Sequence, residues 1–257
     1  MNDLSVVVIT RNRLEKLKRC ILSIKSSLPE AQIFVVDNGS TDGSVGYLKD
    51  ERIVETVFSK TNMGVAAARN VGISKASNRF VMLIDDDAWI GEIDIAGIQR
   101  YFDSDDSVGI IAPRVLYPDG SIQESIRKFP TLLSVLWRGT FLHKIFPTAP
   151  WYQGYISHET EKVHKTDWAI GACQIVRREV FELIGSYNEK YFFGYEDADF
   201  CRRTSRNGYS TVYWPHTRIY HEYARSSAKG LNRHLFSHIA SIIRFFCDKK
   251  GSFPRVD

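Results

Sequence analysis

Cysteine is scarce in this chain, long apolar runs are missing, and so are the common phosphate-cradling loops. The 257 residues hold four cysteines. None of Cys20, Cys173, Cys201 and Cys247 forms a Cys-x-x-Cys pair, so neither a zinc knuckle nor a redox dithiol is signalled. The start, Met1-Asn2-Asp3-Leu4, lacks the basic segment and apolar core of a leader. With scattered thiols, that predicts a reducing, cytoplasmic setting. No stretch of about 18 apolar residues occurs, so no spanning helix is expected. Gly-x-x-x-x-Gly-Lys-[Ser/Thr] is absent, which excludes a P-loop enzyme. Gly-x-Gly-x-x-Gly is absent too, which weighs against a dinucleotide cofactor. Repeats and low-complexity segments are lacking. The net charge of +4 is mild. It permits anionic ligands or anionic lipid but gives no footprint of a nucleic-acid binder.

What is present organises itself around Val81-Met82-Leu83-Ile84-Asp85-Asp86-Asp87. Four apolar residues read as a buried central strand, closed abruptly by three carboxylates. Ligands of open α/β sheets bind at such carboxyl ends. Three adjacent acids repel one another unless a cation neutralises them, and hard oxygens suit Mg²⁺ or Mn²⁺. An acidic turn is the plainer alternative.

Before that stretch, strand and helix signals alternate. Leu4 to Ile9 reads as a first strand running into Thr10-Arg11-Asn12-Arg13. Leu14, Leu17, Ile21, Ile24 and Leu28 mark one helix face, ended by Pro29. Gln32 to Val36 is a second strand, followed by Asp37-Asn38-Gly39-Ser40-Thr41-Asp42 opening a helix. Arg52 to Phe58 is a third strand, and Asn62-Met63-Gly64 leads into Val65-Ala66-Ala67-Ala68-Arg69-Asn70, a helix start rich in Ala. This alternation implies a parallel sheet with right-handed crossovers, and the polar strand ends would line one crevice.

From Pro113 the periodicity weakens. Leu132 to Phe141 is helix-like, while Phe146-Pro147 and Pro150-Trp151-Tyr152 read as irregular. Asp167 to Val176 reads as a loop entering a strand, and Arg178 to Ile184 as a short helix. Gly194-Tyr195-Glu196-Asp197 opens an amphipathic helix capped by Gly208. Thr211 to Pro215 is a late strand, with His221 beyond it. In the tail, Leu231, Leu235, Ile239, Ile242 and Phe246 share a helix face near Arg233, Arg244, Lys249 and Lys250. Such a helix either lies on anionic membrane or docks on protein.

In order, Thr10-Arg11-Asn12, Val35-Val36-Asp37-Asn38-Gly39-Ser40-Thr41-Asp42, Asn62-Met63-Gly64 with Ala68-Arg69-Asn70, Asp85-Asp86-Asp87, Glu196-Asp197 and His221 resemble family 2 glycosyltransferases of the GT-A fold. The resemblance covers residues 4 to about 225. Arg127-Lys128-Phe129-Pro130, Asp167-Trp168 with Gly171-Ala172, Arg177-Arg178, Tyr195 to Cys201 and the closing Ser241 to Gly251 stretch narrow it toward bacterial rhamnosyltransferases of cell-surface polysaccharide. The fold implied is α/β and Rossmann-like, with a mostly parallel central sheet flanked by helices. Residues 1–112 would form the nucleotide-sugar half, 113–225 the acceptor and catalytic half of the same domain, and 226–257 an amphipathic tail.

The resemblance implies an inverting, metal-dependent transfer of a sugar, L-rhamnose from dTDP-rhamnose, to a hydroxyl of a surface glycan or its lipid-linked precursor. Asp87, Asp85 and His221 would hold Mg²⁺ or Mn²⁺. Thr10, Arg11, Asp37, Asn62, Arg69, Asp85 and Asp86 would meet the nucleotide-sugar, and Asp167 and Trp168 the acceptor. Asp197 would be the general base, with Glu196 as the other acid of the pair. Contact with inner-membrane lipid from the cytoplasmic face, and an oligomer, are open in this reading. Transfer of another hexose from a UDP- or GDP-sugar is one alternative. A sugar nucleotidyltransferase is a second, but its Gly-rich basic loop is missing at Thr10 to Arg13. A non-catalytic binding module is a third, opposed by Asp87, Asp197 and His221 together.

Overall fold

A computed structural model describes residues 3–50, 54–139, 161–222 and 233–248. Phe146-Pro147, Pro150 to Tyr152, Leu231, Lys249 and Lys250 lie outside these, as do the side chains of Arg233 and the end of the Leu132 to Phe141 segment.

The strands are β1 (Leu4–Thr10), β2 (Gln32–Asp37), β3 (Glu55–Phe58), β4 (Phe80–Asp85), β5 (Ala88–Glu92), β6 (Val108–Leu116), β7 (Ile126–Arg127), β8 (His164–Thr166), β9 (Trp168–Ala169), β10 (Cys173–Arg177) and β11 (Ser210–His221). The helices are α1 (Leu14–Ser27), α2 (Ser44–Asp50), α3 (Val65–Lys75), α4 (Ile95–Ser104), α5 (Leu132–Gly139), α6 (Arg178–Ile184), α7 (Glu196–Arg206) and α8 (Arg233–Cys247). The main sheet runs β3-β2-β1-β4-β10-β6-β11-β5, with β8 added on β11. β3, β2, β1 and β4 pair in parallel, as strand–helix alternation requires. β10 is the antiparallel insert between β4 and β6, and β11 returns parallel to β6. β7 and β9 form a separate two-stranded ribbon.

Both faces of the sheet are buried, so alternate residues of one strand serve two cores. Val6, Val8, Met82 and Ile84 pack with Leu17, Ile21, Ile24 and Phe102 on the face of α1 and α4. Val7, Phe34, Val81 and Leu83 pack with Ala66, Ile73, Phe181 and Phe200 on the face of α3, α6 and α7. α3 lies close because its inner residues are small. A methyl on Gly72 would stand 2.2 Å from Val7 Cγ1. The division at 112/113 falls inside β6, and both halves feed one sheet.

Several boundaries differ from the sequence expectation. The strand expected at Arg52 to Phe58 is described only over Glu55–Phe58. The late strand extends to His221, so this histidine closes β11 and does not lie beyond it. Pro215 breaks the apparent pattern there, and the strand absorbs it in a register shift between Trp214 and Arg218.

Candidate functional site

β1 ends in Thr10, β2 in Asp37, β4 in Asp85 and β11 in His221, all at the same end of the sheet. The chain turns at Asp86-Asp87 and comes back as β5, which sets Ala88 opposite His221. Glu222 N–H donates to the Asp87 carbonyl at 3.1 Å and ties the turn to the end of β11. Asp85 and Asp87 are thus brought together by a turn. One ligand atom from each of Asp85, Asp87 and His221 lies within 4.8 Å of the others. His221 Nε2 is 3.3 Å from Asp87 Oδ1, and its Nδ1 is 2.7 Å from Gln123 Oε1. Two carboxylates and one imidazole this close together could hold one divalent cation.

Asp86 points elsewhere. Thr10 Oγ1 donates to it at 2.8 Å and Arg13 Nη1 at 2.9 Å. The same Arg13 nitrogen reaches Asp87 Oδ2 at 2.9 Å, with Lys16 Nζ at 3.9 Å. Burial pushes Asp86 up to about 6, aided by the like charge of Asp87 and opposed by Arg13. Burial also pushes Asp87 upward, but the His221 bond and the charges of His221, Arg13 and Lys16 outweigh it and hold the group near about 2. Asp87 therefore stays ionised, as a cation ligand must.

The acidic pair sits across the same crevice. Gly194 (φ 78°) and Tyr195 (φ 68°) are both left-handed, and this double bend starts α7 at Glu196. A non-glycine in that region carries strain, which clusters at functional sites. Asp197 does not cap the helix; Tyr195 holds the cap position. Asp197 Oδ2 accepts from Gly171 N–H at 2.9 Å and Oδ1 from Ala198 N–H at 2.7 Å. Burial raises its pKa, against Arg69 and those amides. Glu196 is more enclosed, and burial with the charge of Asp197 pushes it up to about 7. Its Oε2 has no hydrogen-bond partner among the described residues.

Arg69 joins the two groups. It is 3% exposed, so it is not a surface cation. Nη2 donates to Asp85 Oδ1 at 2.7 Å and to the Gly171 carbonyl at 2.8 Å, and Nη1 to Glu196 Oε1 at 3.3 Å. A methyl on Gly171 would stand 2.5 Å from this guanidinium.

The remaining expected residues divide. Asp37 is buried, accepts from Ser40 N–H at 2.9 Å, and keeps an Oδ2 without a partner among the described residues. Arg11 is exposed on the rim. Asn62 Oδ1 accepts from Asn38 Nδ2 and Gly64 N–H and braces the entry to α3. Asp167 accepts from Phe129 N–H at 2.9 Å, and buried Trp168 donates to the Lys128 carbonyl at 2.9 Å. Both brace the β7–β9 ribbon behind Gly171. Arg13, Lys16 and Gln123 are site neighbours that sequence reasoning missed. Arg13 had a signal, three residues past Thr10 at the mouth of α1. Gln123 had none beyond following a turn.

The family model described as Glycosyl transferase family 2 matches residues 5–185. A relative from Mycobacterium tuberculosis (strain H37Rv), N-acetylglucosaminyl-diphospho-decaprenol L-rhamnosyltransferase, is 28% identical over 98% of this chain and 86% of its own length. A low-salt glycan biosynthesis hexosyltransferase from Haloferax volcanii is 28% identical over 80% of this chain and 62% of its own. Among solved structures, GalNAc-T7 with UDP, GalNAc and Mn²⁺ superposes with a TM-score of 0.68 at 18% identity, over 89% of this chain. A mannosyltransferase from Pyrobaculum calidifontis with GDP-Man and Mn²⁺ gives 0.60 at 18% identity, over 94%. This chain spans 44% and 64% of those two solved chains.

Proposed function

The chain belongs to glycosyl transferase family 2 and has the GT-A fold of a glycosyltransferase, and from this we propose that it moves L-rhamnose from a dTDP-linked donor to a hydroxyl of a lipid-diphosphate-linked glycan, with inversion. The observation that carries the reading is Arg69, whose one guanidinium bonds both Asp85 and Glu196. Two acidic groups joined in this way support a reading in which a cation site and a base share one crevice, as transfer in one displacement needs. The relative whose name specifies an L-rhamnosyltransferase matches nearly the whole chain, which supports the donor and a lipid-linked acceptor.

The acceptor oxygen bonds to the anomeric carbon as the sugar–phosphate bond breaks, and the acceptor proton passes to Asp197. Gly171 and Ala198 amides aim the Asp197 carboxylate. Asp85, Asp87 and His221 would hold Mg²⁺ or Mn²⁺, which would supply Lewis acidity toward the departing diphosphate. Asp37 offers its unpaired oxygen to the base or ribose, with Thr10, Arg11, Asn62 and Asp86 lining the nucleotide side. Arg69 acts on the donor through Asp85. Asp167 and Trp168 support the acceptor side from behind Gly171. Residues 1–112 serve the donor and 113–225 the acceptor, while the tail helix meets the membrane that carries the acceptor.

The test is product analysis with dTDP-rhamnose and with UDP- and GDP-hexoses. Free dTDP formed only with an acceptor present is expected. Free UDP or GDP in its place would reassign the donor, and a nucleoside triphosphate with sugar 1-phosphate, formed only when pyrophosphate is added, would mark a nucleotidyltransferase.

A further inference from the structure

Gln123 is buried at 2% exposure in a place that mere polarity does not explain. It follows a tight turn in which Gly120 has φ 84° and Asp119 Oδ1 accepts from Ser121 N–H at 2.9 Å. Tyr117 N–H donates to the Ser121 carbonyl at 2.8 Å, and Gln123 N–H to the Val115 carbonyl at 2.9 Å. The hairpin therefore anchors Gln123 on the end of β6. β6 pairs with β11 through Val115 with Ile219 and Leu116 with Tyr220, which brings Gln123 beside His221.

The contact is two-pronged. Gln123 Oε1 lies 2.7 Å from His221 Nδ1, and Gln123 Nε2 lies 3.4 Å from the His221 carbonyl. Exchanging the amide's oxygen and nitrogen would set Oε1 against that carbonyl, acceptor against acceptor, so Oε1 faces the ring. An amide oxygen only accepts, so Nδ1 carries the proton it donates. With Nδ1 as the donor to Gln123, the nitrogen left to face a cation is Nε2, which in the cation-free site lies 3.3 Å from Asp87 Oδ1.

We infer that Gln123 is a positioning residue for the cation site, holding His221 in the tautomer and ring orientation that present Nε2 to the space between Asp85 and Asp87. The inference rests on the reading of Asp85, Asp87 and His221 as cation ligands. An outer partner on the second ring nitrogen is the usual way a ligating histidine is held, and its loss weakens metal binding about 10–100-fold.

The experiment measures Mn²⁺ affinity by electron paramagnetic resonance in the presence of dTDP, with folding followed by circular dichroism and thermal melting. Gln123→Leu should bind Mn²⁺ about 10–100-fold more weakly than wild type. Gln123→Glu, which keeps an acceptor toward Nδ1, should stay within a few fold. In a His221→Ala background, Gln123→Leu should have no further effect, because its action runs through the imidazole. A merely structural role would add its loss in both backgrounds. If Gln123→Leu does not fold, Gln123→Met replaces it. Unchanged affinity in the apolar variant, an equal loss in Gln123→Glu, or an undiminished loss without His221 overturns the inference. Asp87→Ala tests the underlying reading separately: if it and His221→Ala leave Mn²⁺ affinity intact, the cation site itself is misassigned.

Discussion

Asp87 and Asp197 are both carboxylates at the crevice, and their surroundings assign them opposite tasks. Asp87 is surrounded by His221, Arg13 and Lys16, which keep it charged. Asp87→Ala should therefore weaken dTDP binding in the presence of Mn²⁺, by calorimetry, and leave the metal-free affinity nearly unchanged. Asp197 is held by amides and raised by burial. Asp197→Asn keeps the shape and should bind donor normally while turnover falls by roughly 10²-fold or more. Turnover within a few fold of wild type would move the base to Glu196. Glu196 also gives a pH signature. Its pKa, up at about 7, exceeds an ordinary carboxyl value of about 4.3. The folded protein thus binds more protons than the unfolded chain between those values. The stability this contributes is full below the lower value and is lost as pH rises through the upper one. The melting temperature of the cation-free wild type, minus that of Glu196→Gln, should fall between pH 4.5 and 7.5, a range set by those two values at roughly their margins. A flat difference would mean Glu196 titrates normally. The acids themselves were legible, since carboxylates closing apolar strands are a local pattern. The tasks of Arg69 and Gln123 were not, because their partners lie 127 and 98 residues away in sequence.

Elements that repeat apolar residues at strand or helix spacing were readable. β1, α1, β2, β4 and the start of α3 fall within a residue or two of the sequence expectation. β5, α4 and β6 were missed. β5 is a short edge strand that among the described residues pairs only with β11, and β6 carries Pro113 and Arg114 in a strand that is buried throughout, which hides its apolar run. The tail helix resolves more sharply than its sequence allowed. Ser241 Oγ donates to the Phe193 carbonyl at 3.1 Å, and Arg202 Nη1 to the Phe245 carbonyl at 2.7 Å. The Arg202 guanidinium lies 3.8 Å from the centre of the Phe245 ring, and Tyr195 meets the same ring. α8 is therefore a strut behind the left-handed bend that aims Glu196 and Asp197. Phe245→Ala should cost about 3 kcal/mol of stability by leaving a cavity. It should also lower turnover more than donor affinity, because the bend loosens on the acceptor side. Equal loss of both, in steady-state kinetics with a calorimetric donor titration, would deny α8 that role.

At the scale of the whole molecule, docking does not exhaust the apolar surface of α8. Ser241 and Phe245 face the domain, while Phe236, Ile239 and Ile243 stand 64%, 43% and 58% exposed. These three recur at three and four residues and form one stripe on the outer face. No helix among the described residues is long and apolar enough to cross a membrane. A helix that is apolar on its outer face and pinned on its inner one instead suits shallow contact with lipid. The proposed acceptor is anchored in lipid, and α8 touches the bend that carries the acidic pair. Seating the stripe in the bilayer would bring the crevice to the acceptor's depth and orientation. The triple variant Phe236→Ser, Ile239→Ser, Ile243→Ser removes only outward-facing side chains. It should keep the melting temperature and the turnover of a water-soluble acceptor analogue. It should lose vesicle co-sedimentation and most transfer to a lipid acceptor embedded in vesicles. Unchanged transfer to the embedded acceptor would refute the membrane contact. A wild-type dimer in analytical ultracentrifugation that the triple variant dissolves, with vesicle binding untouched, would assign the stripe to a second copy of the chain.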